Sequence, residues 1–392
     1  MTKADTILIL NSGSSSIKFN LYEGKISQVA GQISWLGTSP RISFKVTATG
    51  KVIDRELSSY AVDHSAALQH LLPLLKNEIG VTDVAAIGHR VVHGGVTHSK
   101  PVEVDKNVRR TLERLSPLAP LHQPHNLSGI DAATRAFPNA IQVACFDTAF
   151  HRGHPWVNDT FALPRNLYEE GVRRYGFHGL SYEYICDHLN SFHPDVFSGK
   201  LVVAHLGNGA SMCAIRDGKS IGSTMGFTAL DGLPMGTRCG QLDPGVLLYL
   251  LTSKGMSADE VSNLLYKESG LKGLSGESQD MRTLLSSSSI EARQAINYYV
   301  FRIRREIGAM AAVLNGVETL VFTGGIGENA AQIREEICSN QDWLELSIDK
   351  TLNAIHAEII STPQSHVRVL VIPTNEEEMI RRHTSELLAS YA

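Results

Sequence analysis

No two of the five cysteines (Cys145, Cys186, Cys213, Cys239, Cys338) stand in a Cys-x-x-Cys spacing, and their number is odd. That argues against a disulfide framework or a cysteine-built zinc site and fits a reducing cytosol. Positive charge is not in excess: 36 Lys and Arg stand against 40 Asp and Glu, a net charge of -4, so nothing draws the chain to nucleic acid. No stretch approaches the roughly 20 apolar residues of a membrane span. The apolar run at 7–10 has a strand's length, far short of a signal segment. A cytoplasmic protein with no membrane partner is expected. A Walker A loop is missing too. Gly218-Lys219-Ser220 comes near it, but Cys213 holds the position of the required earlier glycine, so any ATP site is not of the P-loop kind.

What is there suits a globular protein of two domains: 392 residues, 43% hydrophobic and 19% charged. Residues 7–10 and 17–22 read as strands around the small polar turn 11–16. Residues 201–204 and 212–216 repeat that pattern around a turn at 205–211. Gly13 and Gly24 have the same spacing as Gly207 and Gly218, with Lys25 and Lys219 following in the same places. One strand–turn–strand unit in each half points to a duplication, although hairpin turns in general favour these residues. Further strands are expected at 84–88, 141–146, 320–322 and 367–372, and helices at 108–115, 127–137, 244–251, 291–314, 328–337 and 376–388. This is an α/β layout with mixed sheets.

Several residues could carry phosphate chemistry. The glycines of Phe322-Thr-Gly-Gly-Ile-Gly-Glu-Asn329 follow a strand and open a helix, where backbone N–H groups can approach a phosphate. The turns containing Ser14, Ser16, Gly207, Asn208 and Gly209 offer small side chains and polar donors. Arg90 and Arg238 sit among glycines, and their planar forks suit carboxylate or phosphoryl oxygens. His122 and His178 are structural or functional with equal weight on this evidence. Asp147 ends a strand, where α/β proteins place ligands. Glu376, Glu377 and Glu378 open the last helix, and dipole compensation accounts for at least two of them.

Taken together, nine segments in order resemble the acetate kinase family, within the superfamily of acetate and sugar kinases, heat-shock chaperones and actin. They include Asn11-Ser-Gly-Ser-Ser-Ser-Ile-Lys18, Gly88-His-Arg-Val-Val-His-Gly-Gly95, Arg173-Arg-Tyr-Gly-Phe-His-Gly179, Met235-Gly-Thr-Arg238 and Pro373-Thr-Asn-Glu-Glu377. The resemblance implies two duplicated ribonuclease-H-like (actin-like) domains facing a cleft: residues 1–149 with 378–392, and a nucleotide-binding and dimerising domain of residues 150–377. It implies a homodimer that moves the γ-phosphoryl group of ATP to acetate by direct in-line transfer, reversibly, with Mg²⁺ or Mn²⁺. Arg90, Asp147, His178, Arg238, His122 and Asn208 would be catalytic. Val92, Leu121, Phe177 and Ala229 would line the acceptor pocket beside Arg90. Lys18, Ser14, Ser16, His205, Leu206, Gly207, Asn208, Gly209, Asp280, Met281, Arg282, Gly324, Gly325, Ile326, Gly327, Glu328 and Asn329 would serve the nucleotide. Asn11 and Glu376 would serve the metal.

Two segments depart from the family's usual pattern, the first being Thr228-Ala-Leu-Asp-Gly232 where Thr-Pro-Leu-Glu-Gly is common. Ala229 stands where proline is common, and Gln241 where aspartate is common. The chemistry is self-consistent, since a carboxylate acceptor is already ionised at neutral pH and needs no general base. Rival readings are a propionate- or butyrate-preferring kinase, a nucleotide switch of the actin or chaperone type, and an NAD protein. The last would want its glycine fingerprint where residues 11–16 stand.

Overall fold

The computed structural model describes the chain apart from residues 1–5, 14, 15, 37, 38, 58–62, 82, 121 and 392 and the side chain of residue 72. Ser14 and Leu121 therefore lie outside the described residues. The chain divides into two compact units, Met1–Ala149 with Asn375–Ala392, and Phe150–Thr374.

The first unit is built on eight strands: β1 (Thr6–Ser12), β2 (Ile17–Glu23), β3 (Ile26–Ser34), β4 (Arg41–Val46), β5 (Val52–Glu56), β6 (Ala86–Val91), β7 (Val102–Glu103) and β8 (Ile141–Phe146). They lie in the order β5-β4-β3-β2-β1-β6-β8-β7. β1 to β5 form an antiparallel meander, while β1, β6 and β8 run parallel. The patterns explain the places. Ile7, Leu8, Ile9 and Leu10 are all buried, as a central strand covered on both faces requires. In β4, Ile42, Phe44 and Val46 are buried and alternate with residues that are not, the mark of a strand with one packed face. Leu8 and Leu10 pack with Leu68, Leu71 and Leu75 of the helix His64–Ile79. On the opposite face Ile9 and Gly88 lie against Ile380 of the closing helix Glu376–Ala389.

The second unit has β9 (Lys200–Leu206), β10 (Ala210–Arg216), β11 (Lys219–Ser223), β12 (Thr319–Thr323) and β13 (Arg368–Val371), in the order β11-β10-β9-β12-β13. Three antiparallel strands are followed by two parallel to the first. That is the order and direction of β3-β2-β1-β6-β8 in the first unit. The turns after β2 and β10 both close on a left-handed glycine, Gly24 (φ 59°) and Gly218 (φ 67°), a conformation open to glycine without penalty. Duplication of one five-strand topology accounts for both. Tyr182, Ile185, Cys186 and Leu189 of the helix Gly179–Phe192 pack on Leu201, Val203, Cys213 and Ile215. The 25-residue helix Ile290–Leu314 packs on β10; Ser289, accepting from the Ala292 N–H, starts it, and a left-handed Asn315 (φ 55°) ends it.

Some boundaries differ from the sequence expectation. The strand expected at 84–88 is β6 at Ala86–Val91, so Arg90 lies inside a strand and not beyond it. The turn expected at 205–211 is only the residues between β9 and β10. The glycine run after β12 is itself the short helix Gly324–Asn329, with a second helix, Ala331–Cys338, behind it. The chain passes back to the first unit at 374/375, ahead of the expected 377/378, because Asn375 is the N-cap of the closing helix and accepts from the Glu378 N–H.

Gly88 allows the closing helix to approach β6. A Cβ there would stand 2.4 Å from Thr384 Oγ1, 2.7 Å from Ile380 Cγ2 and 2.9 Å from Ile9 Cδ1. Gly88→Ala is expected to destabilise the protein by about 1–3 kcal/mol through overpacking. Thermal unfolding measures it, and an unchanged Tm would show that the helix moves aside.

Candidate active site

In both units the polar residues gather beyond the carboxyl ends of the parallel strands, where open α/β sheets place ligands. In the first unit the gathering centres on Arg90. Its Nε and NH2 donate to the two oxygens of Asp147 at 3.0 and 2.5 Å, and its NH1 donates to Asn11 Oδ1 at 3.4 Å. Glu376 Oε2 stands 3.7 Å from Arg90 Nε. Asp147 is buried, and the Arg90 side chain is 17% exposed. Burial opposes the guanidinium charge, but the carboxylates of Asp147, Glu376 and Glu377 more than offset it and raise the pKa of Arg90, so the arginine stays charged.

The three glutamates of the closing helix are not equivalent. Glu378 is taken up by Arg381 and Arg382 at 2.7 and 2.9 Å. Glu376 is the one beside Arg90. Lys18 is exposed on β2, opposite Asn11 in the pairing of β1 and β2. Ser16 closes the first turn, accepting from the Gly13 N–H at 2.8 Å. His122 caps the helix Gln123–Ala136, and Val92 is buried.

In the second unit His178 is held from several sides. Its backbone is left-handed (φ 57°), a strained state of about 1–3 kcal/mol for a residue other than glycine. Its Nδ1 is 2.8 Å from Ser211 Oγ, which is 2.5 Å from the Tyr182 hydroxyl. Its ring stacks on His205 at 4.3 Å, and His205 Nδ1 is 2.9 Å from Ser181 Oγ. A Cβ on Gly209 would stand 3.2 Å from His178 Nε2, a tight contact, and 3.9 Å from Arg238 NH1, so the turn lies close against both side chains. Arg238 NH1 donates to the Ala229 carbonyl at 2.9 Å. Asn208 lies at the tip of the same turn, its carbonyl accepting from the Gly236 N–H at 3.1 Å.

Beneath His178 lies a buried polar network. Phe177 is buried, and its carbonyl is 2.9 Å from His151 Nε2. His151 Nδ1 and His154 Nε2 both reach Ser220 Oγ, at 2.8 and 2.7 Å. One assignment satisfies all three contacts with neutral rings: His151 donates through Nε2–H, accepts the serine proton at Nδ1, and His154 donates to the serine oxygen. Burial favours those neutral forms, lowering the pKa to about 4 for His151 and about 2 for His154.

A cavity of about 510 Å³ in this unit is lined by Gly207, Asn208, Asp280, Met281, Arg282, Gly325, Ile326 and Asn329 together with Gln279, Leu285 and Ala330. Met281, Leu285 and Ile326 give it apolar walls. Asp280 and Arg282 pair with each other at its edge at 2.6 Å. Gly324, Gly327 and Leu206 are buried. The Gly324 N–H donates to Glu328 Oε1 at 2.8 Å, and the Thr374 N–H donates to the same oxygen at 3.1 Å. Glu328 therefore ties two backbone segments together, and the Gly324 amide expected to meet a phosphate already has an acceptor.

The model of the acetokinase family matches residues 6–382. A curated relative from Methylocella silvestris named acetate kinase is 54% identical, with 98% of each chain covered. The chain belongs to the acetokinase family. The crystal structure of Porphyromonas gingivalis acetate kinase is 37% identical with a TM-score of 0.88, covering 98% of this chain and 100% of that one. A Francisella tularensis propionate kinase is also 37% identical, with a TM-score of 0.91, covering 97% and 99%.

The acetokinase fold uses residues that sequence reasoning passed over. Asn126 is buried; its Oδ1 accepts from the Val92 N–H at 3.0 Å and its Nδ2 donates to the Ser12 carbonyl at 2.7 Å. It fixes the ends of β1 and β6 together. Gln123 likewise accepts from the His93 N–H at 3.1 Å and donates to the His93 carbonyl at 3.0 Å. Amides three apart on the buried face of a helix were the available signal. Leu285 follows Met281 by one helical turn, the spacing of a shared face. Gln241, where the family commonly has aspartate, does not address Arg238. Its Oε1 accepts from Arg302 at 2.8 Å and from Arg305.

The buried histidines set a pH limit. In the fold His89 (at 2.8 Å from Gln142 Oε1) and His151 are held neutral, with pKa values of about 4 against an unfolded value of 6.5. A depressed histidine pKa means that protons bind the unfolded chain first. Stability from these groups is complete above pH 7 and is lost as pH falls from about 6.5 towards 4. Each of the two is expected to contribute a loss of about 2 kcal/mol between pH 7 and 5. Urea unfolding at both pH values measures the sum, and equal midpoints would refute it.

Proposed function

We propose that the protein transfers the γ-phosphoryl group of ATP to acetate, giving acetyl phosphate and ADP, and that the reaction runs in both directions. The observation that carries this reading is the relative named acetate kinase at 54% identity over 98% of both chains. The site chemistry agrees with it. A carboxylate oxygen attacks the γ-phosphorus, the bond to the ADP oxygen breaks, and charge moves onto ADP. Nothing in that step calls for a base; it calls for positioning and for cations around a crowd of oxygens.

In this reading Arg90, held rigid by Asp147, orients the acceptor carboxylate. Arg238 and His178 meet the transferring phosphoryl group, with Gly209 giving it backbone access and His122 nearby. The cavity beside Asn208, Met281 and Ile326 takes the adenosine, and Lys18 and Ser16 serve the phosphates. Asn11 and Glu376 would hold Mg²⁺, or Mn²⁺ in its place. The fit rests on donor chemistry: an amide oxygen and a carboxylate are hard ligands, and Mg²⁺ commonly uses one or two protein carboxylates and keeps several waters. Both oxygens of Asp147 are engaged by Arg90, so Asp147 acts through the arginine. When bound, the ion supplies charge neutralisation on the phosphate oxygens.

The active form is proposed to be a homodimer in the cytoplasm. Val246, Leu247, Leu248 and Tyr249 of the helix Pro244–Thr252 are exposed, as is Phe301, and that helix has no buried residue. An apolar face of this kind is what a second copy would cover. Among the described residues no helix is long and apolar enough to cross a membrane.

The test is direct. Incubation with ATP, Mg²⁺ and acetate should yield a hydroxylamine-trappable acyl phosphate. Arg90→Ala and Arg238→Ala should each lower kcat by about 10²-fold or more, the scale for loss of a preorganised transition-state group. Near-normal kcat in either folded variant would remove that arginine from its assigned role.

A second reading, a propionate-using kinase, is favoured by one observation besides the Francisella neighbour. Ala229 replaces the proline common in the family, and its contact with Arg238 runs through the backbone carbonyl. Losing proline's ring therefore leaves the arginine held while removing wall from the acceptor pocket. One extra methylene gains about 0.8 kcal/mol on burial, and pockets discriminate a methylene by only about 1–3 kcal/mol. Propionate is expected to be used with kcat/KM within about tenfold of acetate, and Ala229→Pro to sharpen the choice. Kinetics with formate, acetate, propionate and butyrate decide it; an acetate preference beyond about 10²-fold would sink the relaxed pocket.

A further inference from the structure

The carboxyl end of the helix Gly179–Phe192 carries a group of side chains that the proposed reaction does not use. His188 lies in the helix's last turns, His193 is its C-cap, and Glu358 reaches them from the segment leading to β13. The Nε2 atoms of both imidazoles stand 2.9 Å from the same atom, Glu358 Oε1. One donor atom from each residue lies within 4.8 Å of those of the other two.

This convergence depends on how the helix ends. Residues five apart on a continuous helix point about 140° away from each other, at about 100° per residue. His193 meets His188 because its backbone has left the helix, at φ -138° and ψ 62°. Both anchoring segments are fixed. The helix is sutured to β9 and β10 by Tyr182, Ile185 and Leu189. The Glu358 carbonyl accepts from the Val371 N–H at 2.8 Å, and Ile359 bridges to Leu370 of β13.

We propose that His188, His193 and Glu358 form a binding site for a divalent cation of the zinc class, chemically unlike the hard-oxygen set at Asn11 and Glu376. Two imidazoles and one carboxylate are the ligand set of a three-residue zinc centre whose fourth position is left to water. The Glu358 side chain is 47% exposed, which leaves room for that water. Four-coordinate zinc with bonds of about 2.0–2.1 Å spaces its ligand atoms about 3.3 Å apart, so the two 2.9 Å contacts to Glu358 need to open by a few tenths of an ångström, and the two imidazole nitrogens, within 4.8 Å of each other, need to close by at most about 1.5 Å. The helix presents the negative end of its dipole here, which favours a cation. The ion would staple the helix end to the edge of the sheet. The competing arrangement is metal-free, with both rings donating to one carboxylate.

The test uses the full-length protein after treatment with a chelator. Titration with Co²⁺ is expected to give one equivalent per chain with the visible bands of a four-coordinate centre, displaced by Zn²⁺, and Zn²⁺ is expected to raise the Tm. His193→Ala and Glu358→Gln are each expected to weaken Co²⁺ binding by at least about tenfold, the scale seen when the environment of a metal is cut away. Both variants should keep the metal-free Tm within a few degrees and the wild-type kcat with Mg²⁺ and ATP. Absence of saturable Co²⁺ binding in the wild type would overturn the proposal in favour of the hydrogen-bonded trio. Binding retained at full strength in both variants would overturn it in favour of histidines elsewhere. Neither result bears on whether acetate is phosphorylated.

Discussion

The bidentate pair of Arg90 and Asp147 is the interaction around which the first unit's polar site is arranged. Asp147 is buried and Arg90 nearly so. Neither charge could stand there alone: removing one partner of such a pair strands the other, at a penalty of about 3–5 kcal/mol. The pair in turn depends on strand register. β6 aligns Arg90 with Cys145 of β8 and His89 with Leu10 of β1. Asn11 then falls level with Arg90, and Asp147 follows Phe146 directly. A slip of one residue would turn Arg90 to the other face of the sheet and dissolve the group. Asn126 and Gln123 protect that register by bonding backbone at the ends of β1 and β6, which is why amides are buried in a helix that could have been wholly apolar there.

The second unit holds His178 with hydrogen bonds and a ring stack, although it too has a largely buried pair, Arg152 with Asp159 at 3.7 Å. His178 must be held in a left-handed conformation, and neutral hydrogen bonds do it: Ser211 and Tyr182 on one side, His205 stacked on another, and the His151, Ser220 and His154 network under Phe177. Neutral imidazoles suit a buried place because they satisfy donors and acceptors with little desolvation penalty. The consequence is sensitivity to acid, where an ion pair would have been sensitive to loss of either charge.

Much of this was legible in the sequence, and the reasons are physical. β8 and the long helix Ile290–Leu314 were readable because their apolar runs are long and regular. The paired hairpins could be read from glycines that must take left-handed backbone. Arg90 and Arg238 stood out because arginine between small residues is unusual. β3 to β5 escaped because Ile26 to Glu56 mixes polar residues into half-buried strands, as in Val52–Glu56, where Ile53 alone is buried. The helix Gly179–Phe192 escaped because it begins at a glycine behind a left-handed histidine, with no side-chain cap to mark its start. Tertiary contacts were less legible still. That Glu328 binds the Gly324 amide, and that Glu378 belongs to Arg381 while Glu376 faces Arg90, are facts of side-chain direction. The resemblance singles out Glu376, but no spacing rule gives the partner that each of three consecutive glutamates takes.

Charge counting shows why the proposed chemistry would need a divalent ion. Arg90 contributes one positive charge, and Asp147 and Glu376 contribute two negative ones within 3.7 Å of it. These three side chains together carry a net negative charge, which would oppose the approach of a carboxylate or a nucleotide. At an effective dielectric near 20, like unit charges about 4 Å apart repel by about 4 kcal/mol. In the proposed reading, a divalent cation at Asn11 and Glu376 would reverse the sign of the group and let Arg90 act as an attractive fork. The same carboxylates that fix the arginine's geometry would thus make its proposed function conditional on the metal. On this argument the aspartate and glutamate would do more than orient: they would set the resting charge of the group around Arg90, a role that a single acid could not fill.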